Sequence, residues 1–248
     1  MANPYILGTT GPSIFNPEVK SLVEDYFESI PLYINQDTEE GLEWVLKNIN
    51  GLILAGGRDV CPISYNEEIT NGDSLSSFDM ERDKREMYLI KRCFELDIPI
   101  LGICRGHQML GVYHGLFLIK DIRNSGVCHN PNIEKINLDN LPCHKIYCLE
   151  PYQEEYFKEG FFSSFHHQAL FFQDSPQHIH YYKEHNCEIL GYAHLTYDVG
   201  KQKAQKIVEL MRGVNNRFIS AQKHLETEYT ENLLSQKILD KFKEMIIK

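Results

Sequence analysis

An α/β fold, a parallel sheet with helices on both faces, is predicted for this 248-residue chain by three features of its sequence. Strand-like apolar runs alternate with helix-period runs through the first half, the connections between them are short, and Pro99–Cys104 is apolar almost throughout, as a strand covered on both faces must be. The elements follow in order. Tyr5–Thr10 reads as a strand, a stretch about Glu18–Ser29 as a helix, Pro31–Ile34 as a strand, Glu39–Asn48 as a helix and Gly51–Ala55 as a strand. Ile69–Phe78, rich in Asn, Gly, Asp and Ser, predicts a surface loop. A long helix over Glu81–Leu96 leads into the Pro99–Cys104 strand, and Gln108, Met109, Leu110 and Val112 then open another helix. Periodicity is weak from Ile122 to Glu159. At the carboxyl end Leu233, Leu234, Ile238, Leu239, Phe242, Met245 and Ile246 recur at helical spacing and predict a closing amphipathic helix. No repeat or Gly/Ser-rich linker divides the chain, so residues 1–248 read as one domain.

Composition narrows the function classes. A net charge of −10 leaves no electrostatic footprint for nucleic acid or an anionic membrane. No apolar run approaches membrane-spanning length, and Met1-Ala2-Asn3-Pro4-Tyr5 lacks the basic-then-apolar pattern of a secretion signal, so a cytoplasmic location is expected. The seven cysteines are scattered, as reduced thiols would be. Cys143-His144 and Cys148 have no second pair at zinc-site spacing, so no metal is expected, nor any cofactor.

The reactive centre is predicted at Cys104. Gly102 and Gly106 flank it two residues to either side, the spacing of a G-x-C-x-G nucleophile elbow, where the backbone is strained and neighbouring chain must pass closely. The dipole and free N–H groups of a helix start favour an anion there. A lone cysteine is ordinarily core filling; the two glycines and the strand-to-helix switch turn the balance towards catalysis.

A thiol nucleophile needs a base and an acid to orient that base. If Arg217–Glu226 is a strand, His224 and Glu226 share one face by the period of two. The carboxylate then fixes the imidazole while the other ring nitrogen addresses Cys104. With eleven histidines in the chain, His-x-Glu carries weight only beside the elbow. Gly56-Gly57, after the Gly51–Ala55 strand, offers a turn whose N–H would join that of Arg105 as an oxyanion hole; taken alone, the pair reads as a structural turn.

These residues together resemble the class I glutamine amidotransferase-like superfamily, in particular its γ-glutamyl-γ-aminobutyrate hydrolase-like (peptidase C26-like) group. The likeness lies in Gly51–Pro62 with Tyr65, in Glu81-Arg82-Asp83 followed by Gly102-Ile103-Cys104-Arg105-Gly106-His107-Gln108, in Ser164-Phe165-His166-His167-Gln168-Ala169, and in Gln222-Lys223-His224-Leu225-Glu226. The order and spacing of these stretches are far more specific than any one of them. Arg105 after the nucleophile favours the hydrolase branch. The resemblance implies a three-layer α/β/α sandwich, flavodoxin-like, with a mostly parallel central sheet and the site at the carboxyl ends of the strands. It implies catalysis by Cys104, His224 and Glu226, an oxyanion hole at Gly57 and Arg105, and binding of the glutamyl group by Gly56, Gln108, Ser164, Phe165 and His166, with one of His166 and His167 equally readable as a packed core histidine. The substrate would be a small-molecule γ-glutamyl amide, cleaved through a thioester.

Lys223 and Leu225 stand where the family has an aromatic residue and a proline, which makes the turn after His224 less rigid by expectation. Leu195–Asn216 is longer and more charged than the family's connection and reads as a rim helix or a solvated insertion. Two other functions stay open at this level: a glutaminase subunit supplying ammonia to a synthase partner, and a silent binding module of the same fold. Self-association is equally open.

Overall fold

Gly51–Leu54 and Ile100–Ile103 are buried at every position, which only strands at the centre of a sheet with both faces covered can satisfy. The computed structural model, which describes residues 4–11, 16–70, 74–122, 143–163, 165–173, 175–195 and 205–247, places them there as β3 and β4. Before them come β1 (Ile6–Thr10), α1 (Pro17–Ser21), β2 (Ile30–Tyr33) and α2 (Glu39–Leu46), and between them α3 (Met80–Glu95). After β4 follow α4 (Arg105–Tyr113), β5 (Leu118–Ile119), β6 (Cys143–Cys148), β7 (Glu159–Ser163), β8 (Ala169–Phe172) and α5 (Pro176–Glu184). The order closes with β9 (Cys187–Leu195), β10 (Gln205–Gly213), β11 (Phe218–Ala221), α6 (Leu225–Glu228) and α7 (Leu233–Ile247).

Helix starts are set by side chains that take up otherwise unpaired N–H groups. Asn16 accepts from Glu18 and Val19 at the start of α1, Thr38 from Gly41 at α2, and Asp79 from Arg82 at α3. The helix expected over Glu18–Ser29 is shorter as an α-helix, because Leu22–Tyr26 continues it as a π turn.

The strand order β2-β1-β3-β4-β11-β10-β9-β6-β7 puts β1 between β2 and β3, so the order reverses there. From β2 to β11 every pairing is parallel; β10 pairs antiparallel with β11, β9 and β8, and β6 with β9 and β7. The sheet is therefore mixed, and the expectation of a mostly parallel sheet fits its β2-to-β11 half. Alternate side chains feed two cores. Ile53, Leu101, Ile103, Ile219 and Ala221 pack with Leu22, Phe27, Ile238, Leu239 and Phe242. Leu52, Leu54, Ile100 and Phe218 pack on the other face with Val45, Leu89, Ile90, Met109 and Leu110. Helices thus cover both faces, giving three layers.

The stretch Leu195–Asn216 corrects its sequence reading. Gln205–Gly213 is an interior strand, with Ile207 and Leu210 in one core and Val208 and Met211 in the other. Two of its charged residues are buried with it: Lys206 sits 4.0 Å over the Tyr192 ring, and Glu209 is fully buried. Residues 196–204 lie outside the described residues, as do the side chains of Cys143 and His144. The weakly periodic Ile122–Glu159 region contains β6 and a short 3-10 turn at Glu150–Tyr152. Among the described residues no helix is long and apolar enough to cross a membrane.

The closing helix holds the core beneath β11: Phe242 is fully buried and packs edge-on to Phe27 with ring centroids 5.5 Å apart. Phe242→Ala is expected to cost about 3–5 kcal/mol in urea unfolding, the cost of an aromatic-sized cavity.

Candidate active site

The site gathers at the carboxyl ends of β3, β4 and β11, beside one another in the parallel half. Ligand crevices of doubly wound sheets open at this end. Cys104 follows β4 with φ 52° and ψ −105°, a backbone region costly for any residue with a Cβ. Its strain is held from both sides: its N–H donates to Ala221 O at 2.9 Å, and its carbonyl accepts from Gln108 N at 3.2 Å. The flanking glycines are steric necessities. A Cβ on Gly106 would come within 2.0 Å of Leu54 O, and one on Gly102 within 2.9 Å of Gly106 O. Any larger residue would push α4 away from β3.

His224 and Glu226 lie beyond the last strand, which corrects the expectation that they share a strand face. β11 ends at Ala221; Gln222 still donates to Glu209 O at 2.9 Å, and the chain then turns so that His224 caps α6 and Glu226 sits in its first turn. Leu225, fully buried in the core, draws the turn inward. His224 Nδ1 donates to Glu226 Oε1 at 2.8 Å, leaving Nε2 for the sulfur. The carboxylate is 3% exposed and the imidazole 23%, so the Glu226 carboxylate is sealed while the His224 ring stays reachable. In place of the family's proline, the turn is tied by the Thr227 hydroxyl donating to His224 O at 2.9 Å and by Lys223 Nζ on Glu228 Oε2 at 2.5 Å.

Burial favours a neutral His224, but the Cys104 and Glu226 charges and their hydrogen bonds outweigh it and raise its pKa well above the usual value. By contrast His107, whose Nε2 donates to Val208 O at 3.2 Å and whose Nδ1 accepts from the Ser220 hydroxyl at 2.9 Å, is pushed down to about 4 by burial. It is a neutral strut between α4 and the sheet.

Gly56 lies against the His224 ring: a Cβ there would fall 2.7 Å from His224 Cε1 and 3.6 Å from Cys104 Cβ. Gly57 has φ 151°, a region that favours glycine. Behind this turn stands a buried set of four charges. Arg82 donates through Nη1 to Gly56 O at 3.0 Å, through Nη2 to Ala55 O at 2.6 Å and through Nε to Glu86 Oε1 at 2.7 Å. The Arg105 guanidinium pairs with Glu86 Oε2 and with Asp83 Oδ1. Asp83 Oδ2 also accepts from Cys61 N at 2.9 Å and the Ser64 hydroxyl at 2.7 Å. Burial would raise the Glu86 pKa; Arg105, Arg82 and the Thr10 hydroxyl, 2.5 Å from Oε1, prevail and lower it to about 2. Arg105 also opens α4, so its N–H is a first-turn donor without an intrahelical partner.

The expected glutamyl-binding residues fall in different places. Phe165 sits edge-on to the His224 ring, centroids 6.0 Å apart. Gln108 is buried, and its amide nitrogen donates to Gln168 O at 2.8 Å and Gln222 Oε1 at 3.2 Å. His166 is also buried, with Nδ1 donating to Gln168 O at 2.8 Å and Nε2 4.0 Å from Glu209 Oε1. Ser164 lies outside the described residues. Sequence reasoning missed Gln222, whose amide nitrogen lies 3.7 Å from Cys104 Sγ, and Gln168, whose side chain pairs with both backbone groups of Val60. It also missed Glu86, although the Arg82/Glu86 spacing of four along a helix marks a pair on one face. Among the described residues no His, Cys, Asp and Glu cluster could hold a metal ion.

Comparison with known proteins shows what the chain is similar to. Residues 13–177 match the Peptidase C26 family model. The chain is 32% identical over 135 residues to the glutamine amidotransferase-like protein YvdE of Lactococcus lactis, covering 54% of this chain and 56% of that protein. It is 36% identical over 121 residues to the γ-glutamyl-γ-aminobutyrate hydrolase of Escherichia coli O157:H7, covering 48% of this chain and 43% of that enzyme. The matched parts thus span about half the length of these relatives. A crystal structure of a glutamine amidotransferase from Thermotoga maritima superposes with a TM-score of 0.59 at 15% identity, covering 100% of both chains, a likeness of fold.

Since the His224 pKa is raised in the folded chain, the stabilising contribution of its proton is complete below the unfolded value and fades as pH rises through the folded one. NMR titration of His224 is expected to place its transition well above 6.5, and Glu226→Gln to move it down.

Proposed function

The chain belongs to the peptidase C26 family, and from that premise we propose that it is a cysteine-dependent hydrolase of γ-glutamyl amides, releasing glutamate and an amine. The observation that carries this is the 2.8 Å His224–Glu226 hydrogen bond beside a strained Cys104 elbow. Such a base held by a buried acid is what thiol acyl transfer requires. The E. coli relative's name, γ-glutamyl-γ-aminobutyrate hydrolase, supports the γ-glutamyl half of the substrate.

In the proposed reaction the Cys104 thiol gives its proton to His224 Nε2, Sγ attacks the γ-carbonyl carbon, a C–S bond forms, and the carbonyl π pair moves to oxygen. The Gly57 and Arg105 N–H groups stabilise that oxygen; one such donor lowers the barrier by about 3 kcal/mol. Collapse of the tetrahedral adduct breaks the C–N bond, and His224 Nε2–H protonates the departing amine. Water then gives a proton to His224 and attacks the thioester, the C–S bond breaks, and glutamate leaves. Through both steps Glu226 keeps the imidazole in one tautomer and orientation.

The test is the purified chain assayed alone on γ-glutamyl amines, free glutamine and γ-glutamylated peptides, with Cys104→Ala as control. Glutamate release from the amines, abolished in Cys104→Ala, is expected. Activity confined to glutamine in the presence of a synthase, or silence on every substrate, would refute the proposal. Gly56→Ala, by crowding the imidazole, is expected to lower turnover roughly 10²–10⁴-fold, the share of a general acid–base group.

A further inference from the structure

The buried charges behind the Gly56-Gly57 turn have a role beyond stability, and this inference rests on the acyl-transfer proposal above. The Gly56 carbonyl and the Gly57 N–H belong to one peptide unit. No described peptide bond is cis, and in a trans peptide the carbonyl and the N–H point in opposite directions. Arg82 Nη1 holds that carbonyl from the α3 side at 3.0 Å, so the Gly57 N–H is aimed away from α3. A cationic donor on the carbonyl also polarises the peptide and strengthens its N–H as a donor. The other oxyanion donor is the N–H of Arg105, whose own guanidinium is bound by Glu86 Oε2 and Asp83 Oδ1. Glu86 Oε1 meanwhile takes Arg82 Nε at 2.7 Å and the Thr10 hydroxyl at 2.5 Å. Both walls of the oxyanion hole therefore hang from one carboxylate, fully buried and fixed on α3.

We propose that Arg82 and Glu86 are positioning residues of the oxyanion hole: Arg82 orients and polarises the Gly57 peptide, and Glu86 sets its distance from the Arg105 peptide. Neither touches substrate. Their effect is confined to steps that build negative charge on a carbonyl oxygen.

Two reactions of Cys104 separate this role from a structural one. Alkylation by iodoacetamide displaces iodide and forms no oxyanion. Acylation by p-nitrophenyl acetate forms a C–S bond through a tetrahedral oxyanion, then breaks the C–O bond and releases p-nitrophenolate. Both are measured on the full chain with Cys104→Ala as blank. Arg82→Lys keeps the charge but lacks the fork that spans Glu86 and two carbonyls. It is expected to slow acylation roughly 10- to 100-fold, part of what losing a whole donor costs, and to leave alkylation and its pH profile unchanged. On a γ-glutamyl amide the loss should fall in kcat, with KM little altered. Thr10→Val, which loosens Glu86 without changing any charge, should show the same split more weakly, and it carries the test if Arg82→Lys does not fold. Acylation falling only in step with alkylation, a loss carried by KM, or a wild-type Cys104 that is alkylated but not acylated would overturn the proposal. A split between the two reactions in a chain that releases no glutamate would sustain it while refuting the γ-glutamyl reading alone.

Discussion

Glu86 is the tie on which the site's geometry depends. Its two carboxylate oxygens face two guanidinium groups, Arg82 from its own helix and Arg105 from the first turn after Cys104. Asp83 completes a set of two cations and two anions, all with side chains 2% exposed or less. Charges so buried are tolerable only when every one is paired, and breaking one such pair costs about 3–5 kcal/mol. The chain keeps this set where α3, the β3 turn and the β4 elbow meet, and nowhere else would it register those three segments against one another.

Around that tie the site is assembled by steric exclusion as much as by attraction. Gly106 lets α4 pass against the Leu54 carbonyl, Gly102 lets it lie close to the sheet, and Gly56 leaves the space that the His224 ring fills. The parallel strands β3, β4 and β11 then deliver the Gly56-Gly57 turn, Cys104 and His224 to one end of the sheet. Electrostatics finish the arrangement: a buried acid and the neighbouring sulfur keep a proton on His224 that burial alone would remove.

How much of this could be read from sequence follows from how local each signal is. The Cys104 elbow was legible because its strand, glycines and helix start are contiguous. The His224–Glu226 pair was legible in spacing but not in shape, since a strand and a helix entry both bring residues two apart within reach of one another. β10 was misread because Lys206 and Glu209 look like solvent-facing charges, whereas the fold buries the first over Tyr192 and the second beneath the site. The four-charge set was half visible: Arg82 and Glu86 are one helical turn apart, but nothing in their neighbourhood announces Arg105. Gln108 could not be placed from pattern, because its partners Gln168 and Gln222 come from distant segments; His166 bonds locally to Gln168 O, but the Glu209 carboxylate it faces comes from β10.

The central claim is that the γ-glutamyl group passes through Cys104. The most direct measurement is the partition of turnover between water and hydroxylamine across several γ-glutamyl amides that share only the acyl group. A common thioester forgets its amine, so the ratio of glutamate to γ-glutamyl hydroxamate should be the same for every leaving group. A ratio that changes with the amine would mean that the nucleophile meets the intact amide, and would contradict the thioester on Cys104.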